Sequence, residues 1–432
     1  MIGLGTAGSG SVARRVREVL GSRDYRVLLA ARLASQAAEG AFLASVFNTV
    51  VFLPESQSTV RGFALATAVT LLPFSLLEPV AGVFVDRWPR RPILVTLAVA
   101  RAAIALLALP AVGALAAVYA GTLLVFSANR LFQATATAVI PRVVAGGAGG
   151  RGDDAAETAG DAVLFIANTV AAVAGTVALF GGMFLGGVLA SAAGTQATVA
   201  LAAGSWGLAA LASARLSNPL PPQHPAVPLG SALIAVVVDL GDGFRRIART
   251  PAALAPILTV AAGQFLNVVV IAAVLVVIKT TLGGGMLSFS GLVGAGGVGV
   301  FLGFATAGVL RSRLSNQLLI GFAFVVAALA MLPAFVAGSA LTLTIGAVML
   351  GASYGWTRVP VDTLAQRAVP DRYRGRVFTA IDLGFNTARV LGAVAAVGAV
   401  PLLGPRTTCA VAALLFLLWA PVVPLWLRER HR

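Results

Sequence analysis

Between residues 82 and 91 the chain reads Gly82-Val83-Phe84-Val85-Asp86-Arg87-Trp88-Pro89-Arg90-Arg91, with an apolar block on either side, 61–85 before it and 92–112 after it. A helix needs about 20 apolar residues to cross the ~30 Å hydrocarbon layer of a bilayer. Both blocks are long enough, so the quoted stretch reads as a short basic loop joining two spanning helices.

The same pattern repeats outward from this loop. The first half holds apolar stretches at 27–53, 61–85, 92–112, 115–140, 161–190 and 196–215. The second half holds 253–279, 288–310, 315–337, 341–366, 377–403 and 406–427. The expected fold is an all-α membrane protein with twelve transmembrane helices. Composition agrees: 58% of the 432 residues are hydrophobic and 11% charged, against about 25% charged in soluble domains.

A net charge of +15 ordinarily raises nucleic acid as a partner. Here the arginines fall in short loops between apolar blocks, not along one polar face, so nucleic acid is excluded. One set of loops carries Arg87, Arg90, Arg91, Arg142, Arg151, Arg245, Arg246, Arg249, Arg311, Arg313, Arg367, Arg372, Arg374 and Arg376, and the C-terminus adds Arg428, Arg430 and Arg432. The opposite loops carry only Arg61, Lys279 and Arg406. The positive-inside rule then places both termini in the cytoplasm, in a multi-pass protein of the inner membrane. Residues 1–24 read as a polar cytoplasmic tail without an apolar region of its own.

Residues 217–250 form a long internal connection. It opens with Asn218-Pro219-Leu220-Pro221-Pro222, a helix stop and stiff spacer. Ser231 to Arg249 is apolar and then basic, the pattern of an amphipathic helix on the inner leaflet. The connection divides the chain into six-helix bundles at 25–216 and 251–427, with a tail at 428–432. The bundles echo each other: Gly308-Val309-Leu310-Arg311-Ser312-Arg313 ends the eighth span where Gly82 to Arg87 ends the second. Such repeats mark transporter folds.

The stretch from Gly82 to Arg91 resembles the loop 2–3 signature of the major facilitator superfamily, with Pro89 where Gly is usual. Arg130-Leu131-Phe132-Gln133-Ala134 is similar to a second motif of that superfamily. Ser35-Gln36-Ala37-Ala38-Glu39-Gly40-Ala41-Phe42 and Gln366 to Val377 resemble a branch of macrolide-efflux-like and siderophore-export-like proteins. Lysophospholipid transporters share much of this pattern. The resemblance implies two pseudo-symmetric six-helix bundles that alternate access to a central cavity. The drug:proton antiporter branch implies proton-coupled export. The fifth span lacks the Gly-Pro pair of antiporters.

Charged groups at membrane depth are functional candidates by default. Arg32, Gln36 and Glu39 share one face of the first span at spacings of four and seven. A carboxyl placed so can load and release a proton, and Glu39 with Arg130 is the expected coupling pair. Arg130, Gln133 and Thr137 form a similar stripe in the fourth span. Asn168, Gln264, Asn267, Asp382, Asn386 and Arg389 complete the expected substrate cavity with Gln36 and Gln133. A rival reading has Arg389 satisfied by Asp382 alone. Arg358 and Asp362 lie nearer the inner surface. Glu78 and Arg101, at matching depths in neighbouring antiparallel spans, are expected to form a structural ion pair. The resemblance implies that Gly82, Asp86, Arg87, Arg90 and Arg91 form the gating motif, with Asp86 placed by it near the positive N-terminal end of the eleventh span.

Other classes lack their chemistry. The only lysine, Lys279, follows Ile278, so no phosphate-binding loop exists. The two histidines, His224 and His431, and the single Cys409 give neither a metal cluster nor a disulfide. No catalytic or cofactor site is expected. The reading is a monomeric secondary transporter of an amphipathic small molecule, with protons and membrane lipids as its other partners. A lysophospholipid or other lipid transporter is the alternative, and a non-transporting receptor or scaffold the further one.

Overall fold

The computed structural model describes residues 9–52, 59–77, 81, 83, 88–108, 114–147, 161–217, 229–249, 251–281, 283–332, 339–368 and 374–428. Every regular element among them is helical. In chain order these are α1 (Ser9–Gly21), α2 (Arg23–Phe47), a π-helix (Asn48–Phe52), α3 (Thr59–Leu76), α4 (Arg90–Ala108), α5 (Leu115–Gly147) and α6 (Asp161–Ala214). The second half holds α7 (Leu229–Arg249), α8 (Pro251–Thr281), α9 (Met286–Arg311), α10 (Asn316–Leu329), α11 (Ala340–Ala368), α12 (Arg374–Leu403) and α13 (Pro405–Arg428). Eight are long and apolar enough to cross a membrane, and Thr59–Phe74 and Asn316–Leu329 are shorter apolar helices. With α11, and with α6 crossing twice, the expected twelve spans in two six-helix bundles are met.

The double crossing of α6 depends on one residue. Gly194 has φ 84° and ψ 174° inside an otherwise helical run, a conformation that only a residue without Cβ adopts at little cost. Thr198 Oγ1 donates to Gly186 O at 3.2 Å across that corner, and Asn48 Nδ2 of the π-helix reaches Thr195 Oγ1 at 3.0 Å. The break expected between 190 and 196 is thus a single-residue corner.

The segment read as a polar tail carries a helix. In α1 Val19 is 1% exposed, so the tail docks by an apolar stripe among its arginines. Arg26 Nη1 donates to Leu20 O at 2.6 Å and Gly21 O at 3.1 Å, satisfying carbonyls that end the helix. Ser22 then caps α2, accepting from Tyr25 N at 3.3 Å and donating to Val143 O at 2.7 Å.

Close backbone packing builds each bundle. A Cβ on Gly182 of α6 would strike the Ala37 carbonyl of α2, and one on Gly392 of α12 would strike the Phe265 carbonyl of α8. The two contacts occupy equivalent places in the two halves, an expression of their pseudo-symmetry. Small residues at such crossings let helices meet where lipid supplies no hydrophobic drive.

The distribution of apolar cores sets the shape of the interior. At the end far from the termini one core joins both halves, with Phe47, Val50, Phe63 and Met183 packed with Ile278, Met286, Phe289 and Val400. At the end that carries the termini each half has its own. Tyr25, Leu94, Phe132 and Ile140 belong to one, and Val260, Ile320, Phe324 and Val361 to the other. The amphipathic helix expected over 231–249 forms as α7. Ile247 is buried at 4%, whereas Ile234 and Val238 are exposed at 66% and 56%.

Candidate functional site

Glu39 lies near the middle of the thirty-residue helical run Arg23–Phe52 and is 9% exposed. Around it the first half assembles a polar cluster from α2, α4 and α5. Arg101 of α4 is fully buried. Its Nη1 donates to Ser35 Oγ at 2.9 Å and Asn129 Oδ1 at 2.7 Å, and its Nε to Leu97 O at 3.2 Å. The guanidinium also lies 4.5 Å over the Phe132 ring and 5.4 Å over Trp206. Guanidinium planes suit such stacked, multiply bonded sites.

The Glu39 carboxyl sits in the electrostatic fields of Arg101 and Arg130 and beside Asn129. The Asn129 Nδ2 completes no hydrogen bond there, and among the described residues Glu39 closes no ion pair. Arg130 lies 5.7 Å over the Phe74 ring. The expected Glu39–Arg130 approach is therefore one of shared field in this state.

Several buried polar atoms of this cluster have no hydrogen-bond partner among the described residues: Arg32 Nε, Gln36 Oε1, Arg101 Nη2 and both amide atoms of Gln133. Leaving such an atom without any partner, water included, costs about 1–3 kcal/mol. Arg32 Nη1 reaches Thr137 Oγ1 at 3.2 Å. Gly175 of α6 makes room for the Gln36 amide, which a Cβ there would overlap.

The second half holds a separate charged cluster. Arg358 of α11 binds Asp362 Oδ2 through Nε at 3.0 Å and Asp382 Oδ1 through Nη2 at 2.9 Å. Asp382 is thus engaged by Arg358, not by Arg389, and the rival pairing is replaced. Arg389 lies 5.8 Å from the centre of the Phe385 ring, and Arg358 lies 5.4 Å from the same ring. Asn386 is 7% exposed. Gln264 and Asn267 line a small cavity of about 30 Å³ with Tyr354, Thr357 and Arg358 between α8, α10, α11 and α13.

Asn168, the Glu78–Arg101 pair and the gating motif are the other expected residues. Asn168 is exposed and its Nδ2 bonds Leu164 O of its own helix at 2.9 Å. It lies beside Ala167, whose carbonyl accepts from Tyr25 Oη at 2.7 Å, toward the terminus end. Glu78 lies outside the described residues, and Arg101 makes the polar contacts given above. Gly82, Asp86 and Arg87 also lie outside them. Arg90 is 1% exposed, and Arg91 is half-buried at the start of α4.

Ser35, Asn129 and the Lys279 contact were not anticipated. Ser35 and Asn129 are neutral polar residues in apolar spans, and only their common distance from Arg101 reveals them. Lys279 Nζ donates to Val51 O at 2.9 Å and lies 5.6 Å from the Phe52 ring centre. Phe289 of α9 packs there against Phe47 at 5.5 Å and Phe52 at 5.9 Å. The residue counted for topology is a bridge between the halves.

Comparison with known proteins agrees with this architecture. The model of the Major Facilitator Superfamily matches residues 28–393. MFS-type transporters of uncharacterized activity from Mycobacterium bovis and Mycobacterium tuberculosis are each 29% identical over 409 residues, covering 89% of this chain and 87% of theirs. Among solved structures, the nucleoside transporter NupG aligns with a TM-score of 0.70 at 12% identity, over 94% of this chain and 99% of its own. A POT family transporter in complex with 5-aminolevulinic acid aligns with a TM-score of 0.69 at 12% identity, over 94% and 96%. A bacterial homologue of the iron transporter ferroportin gives a TM-score of 0.59 at 16% identity, over 94% and 100%.

Proposed function

Since the chain belongs to the Major Facilitator Superfamily and is a membrane transporter of that type, we propose that it is a secondary carrier exporting an amphipathic small molecule in exchange for protons. The carrying observation is the split interior. One apolar core joins the halves at the far end, while each half keeps its own core at the terminus end. Two bodies hinged in this way can rock about a site between them. Glu39, set among buried guanidiniums and amide atoms lacking partners, is the group that takes the proton. The substrate's polar part meets Gln36 and Gln133, and the Arg358–Asp382 side closes over it from the other half. Both termini lie in the cytoplasm and the protein works as a monomer in the inner membrane.

A lysophospholipid substrate is the second reading. The exposed Ile234, Val238 and Phe244 of α7 favour it, because they hold the connection against the leaflet from which such a lipid is drawn.

Proteoliposomes with an imposed proton gradient test both readings against a panel of drugs, siderophores and lysolipids. Wild-type protein should move at least one class with a rate that depends on pH, and Glu39→Gln should remove that dependence. Movement of nothing under a gradient, or an unchanged pH profile in Glu39→Gln, overturns the reading.

A further inference from the structure

Between α4 and α5 lies an open groove of about 350 Å³, lined by Trp88, Pro92, Thr96, Leu97, Leu131 and Thr135 among others. Its two threonines offer nothing polar to a visitor. Thr96 Oγ1 bonds Pro92 O, and Thr135 Oγ1 bonds Leu131 O at 2.7 Å, so each spends its hydroxyl on its own helix. What remains facing outward is methyl, ring and aliphatic surface.

The ends of the groove differ. Leu131, Thr135 and Arg142 are spaced four and seven apart, so they lie on one face of α5. From Leu131 to Arg142 the helix rises ~16 Å at ~1.5 Å per residue, close to the ~15 Å depth of one hydrocarbon leaflet. At the terminus end Trp88 is 54% exposed, and Arg91 starts α4 beside it. An exposed indole belongs at the membrane–water interface, and basic groups at that level attract anionic headgroups.

We infer that this groove is a binding site for one anionic phospholipid of the terminus-side leaflet. One acyl chain lies along Thr96, Leu97, Leu131 and Thr135, the glycerol region lies at Trp88, and the phosphate faces Arg142 and Arg91. The inference is independent of the transported substrate. It requires only the membrane-spanning fold.

Native mass spectrometry of the full chain, extracted in mild detergent and offered phosphatidylglycerol or phosphatidylcholine, tests it. Wild type should retain one phosphatidylglycerol at least fivefold more than phosphatidylcholine. Thr96→Trp fills the groove from an exposed position and should cut retention at least fivefold. Arg142→Gln should keep a lipid but lose the headgroup preference. Brominated phosphatidylglycerol should quench the Trp88 emission, read as the difference between wild type and Trp88→Phe, more than the brominated choline lipid. No retained lipid, equal retention of the two lipids, unchanged retention in Thr96→Trp, or no quenching of Trp88 overturns the site.

Discussion

Lys279 Nζ bonds the carbonyl oxygen of Val51 at 2.9 Å, so the only lysine of the chain ties the far end of α8 to the π-helix that closes α2. The bond is charge-assisted and sits beside the Phe47–Phe289 contact that joins the halves. Val51 lies in the last turn of the helical run that ends at Phe52, where carbonyls have no partner within the helix, so Val51 O is available.

Lys279→Met should loosen the far end. A charge-assisted hydrogen bond contributes about 1.5–3 kcal/mol, or roughly tenfold or more in an equilibrium. Thr49 is 4% exposed at this closure. A thiol introduced there by Thr49→Cys, in a Cys409→Ala background, should be labelled about tenfold faster in the Lys279→Met protein. Equal labelling rates assign the closure to the aromatic contacts alone.

Arg101→Gln should destabilise the first half by about 3–5 kcal/mol, the usual effect of breaking a buried charged network. Ser35 and Asn129 lose their partner together, and the Phe132 and Trp206 rings lose the cation above them. The melting temperature in detergent should fall by about 10 °C at the ~2–4 °C per kcal/mol of larger domains. Arg101→Lys should rescue little, since lysine replaces neither the fork nor the stacking. A full rescue by Arg101→Lys argues that only charge matters.

Gln133→Leu should raise stability while lowering transport. Both polar atoms of the Gln133 amide are buried without a hydrogen-bond partner among the described residues, and relieving that cost gains about 1–3 kcal/mol. A carrier that uses Gln133 for its substrate then trades activity for stability. A stabilised variant with undiminished uptake or export removes Gln133 from the site.

Gly182→Val and Gly207→Ala should behave oppositely. A Cβ at Gly182 meets the backbone of Ala37, whereas one at Gly207 meets nothing within 4 Å. Overpacking against backbone costs about 1–3 kcal/mol or more, while Gly to Ala inside a helix gains about 0.5–1 kcal/mol. Thermal unfolding of the two variants measures the contrast, and a neutral Gly182→Val shows that α2 and α6 can separate freely.

Much of the fold was legible because the membrane imposes a one-dimensional rule. An apolar run of sufficient length must cross as a helix, since its backbone has no other partner in lipid. The twelve spans, the break between 190 and 196 and the amphipathic connection follow from that rule. It gave no warning of α1, where the buried Val19 sits in a stretch too polar to register as an apolar segment.

The candidate site was legible only in its charges. Glu39, Arg130, Asp382 and Arg389 stand out because ionisable groups are costly at depth, but cost identifies a residue without naming its partner. Arg101 proved to serve Ser35 and Asn129, and Asp382 to serve Arg358, because helix rotation and crossing decide which side chains meet.

The linear chain by itself determined the number of crossings and the two-bundle repeat, since these depend on local hydropathy and on ~1.5 Å of rise per residue. The tertiary structure alone decided the polar partnerships, the Lys279–Val51 bridge and the sharing of an apolar core at one end only. These depend on contacts between residues distant in sequence, which no local period encodes.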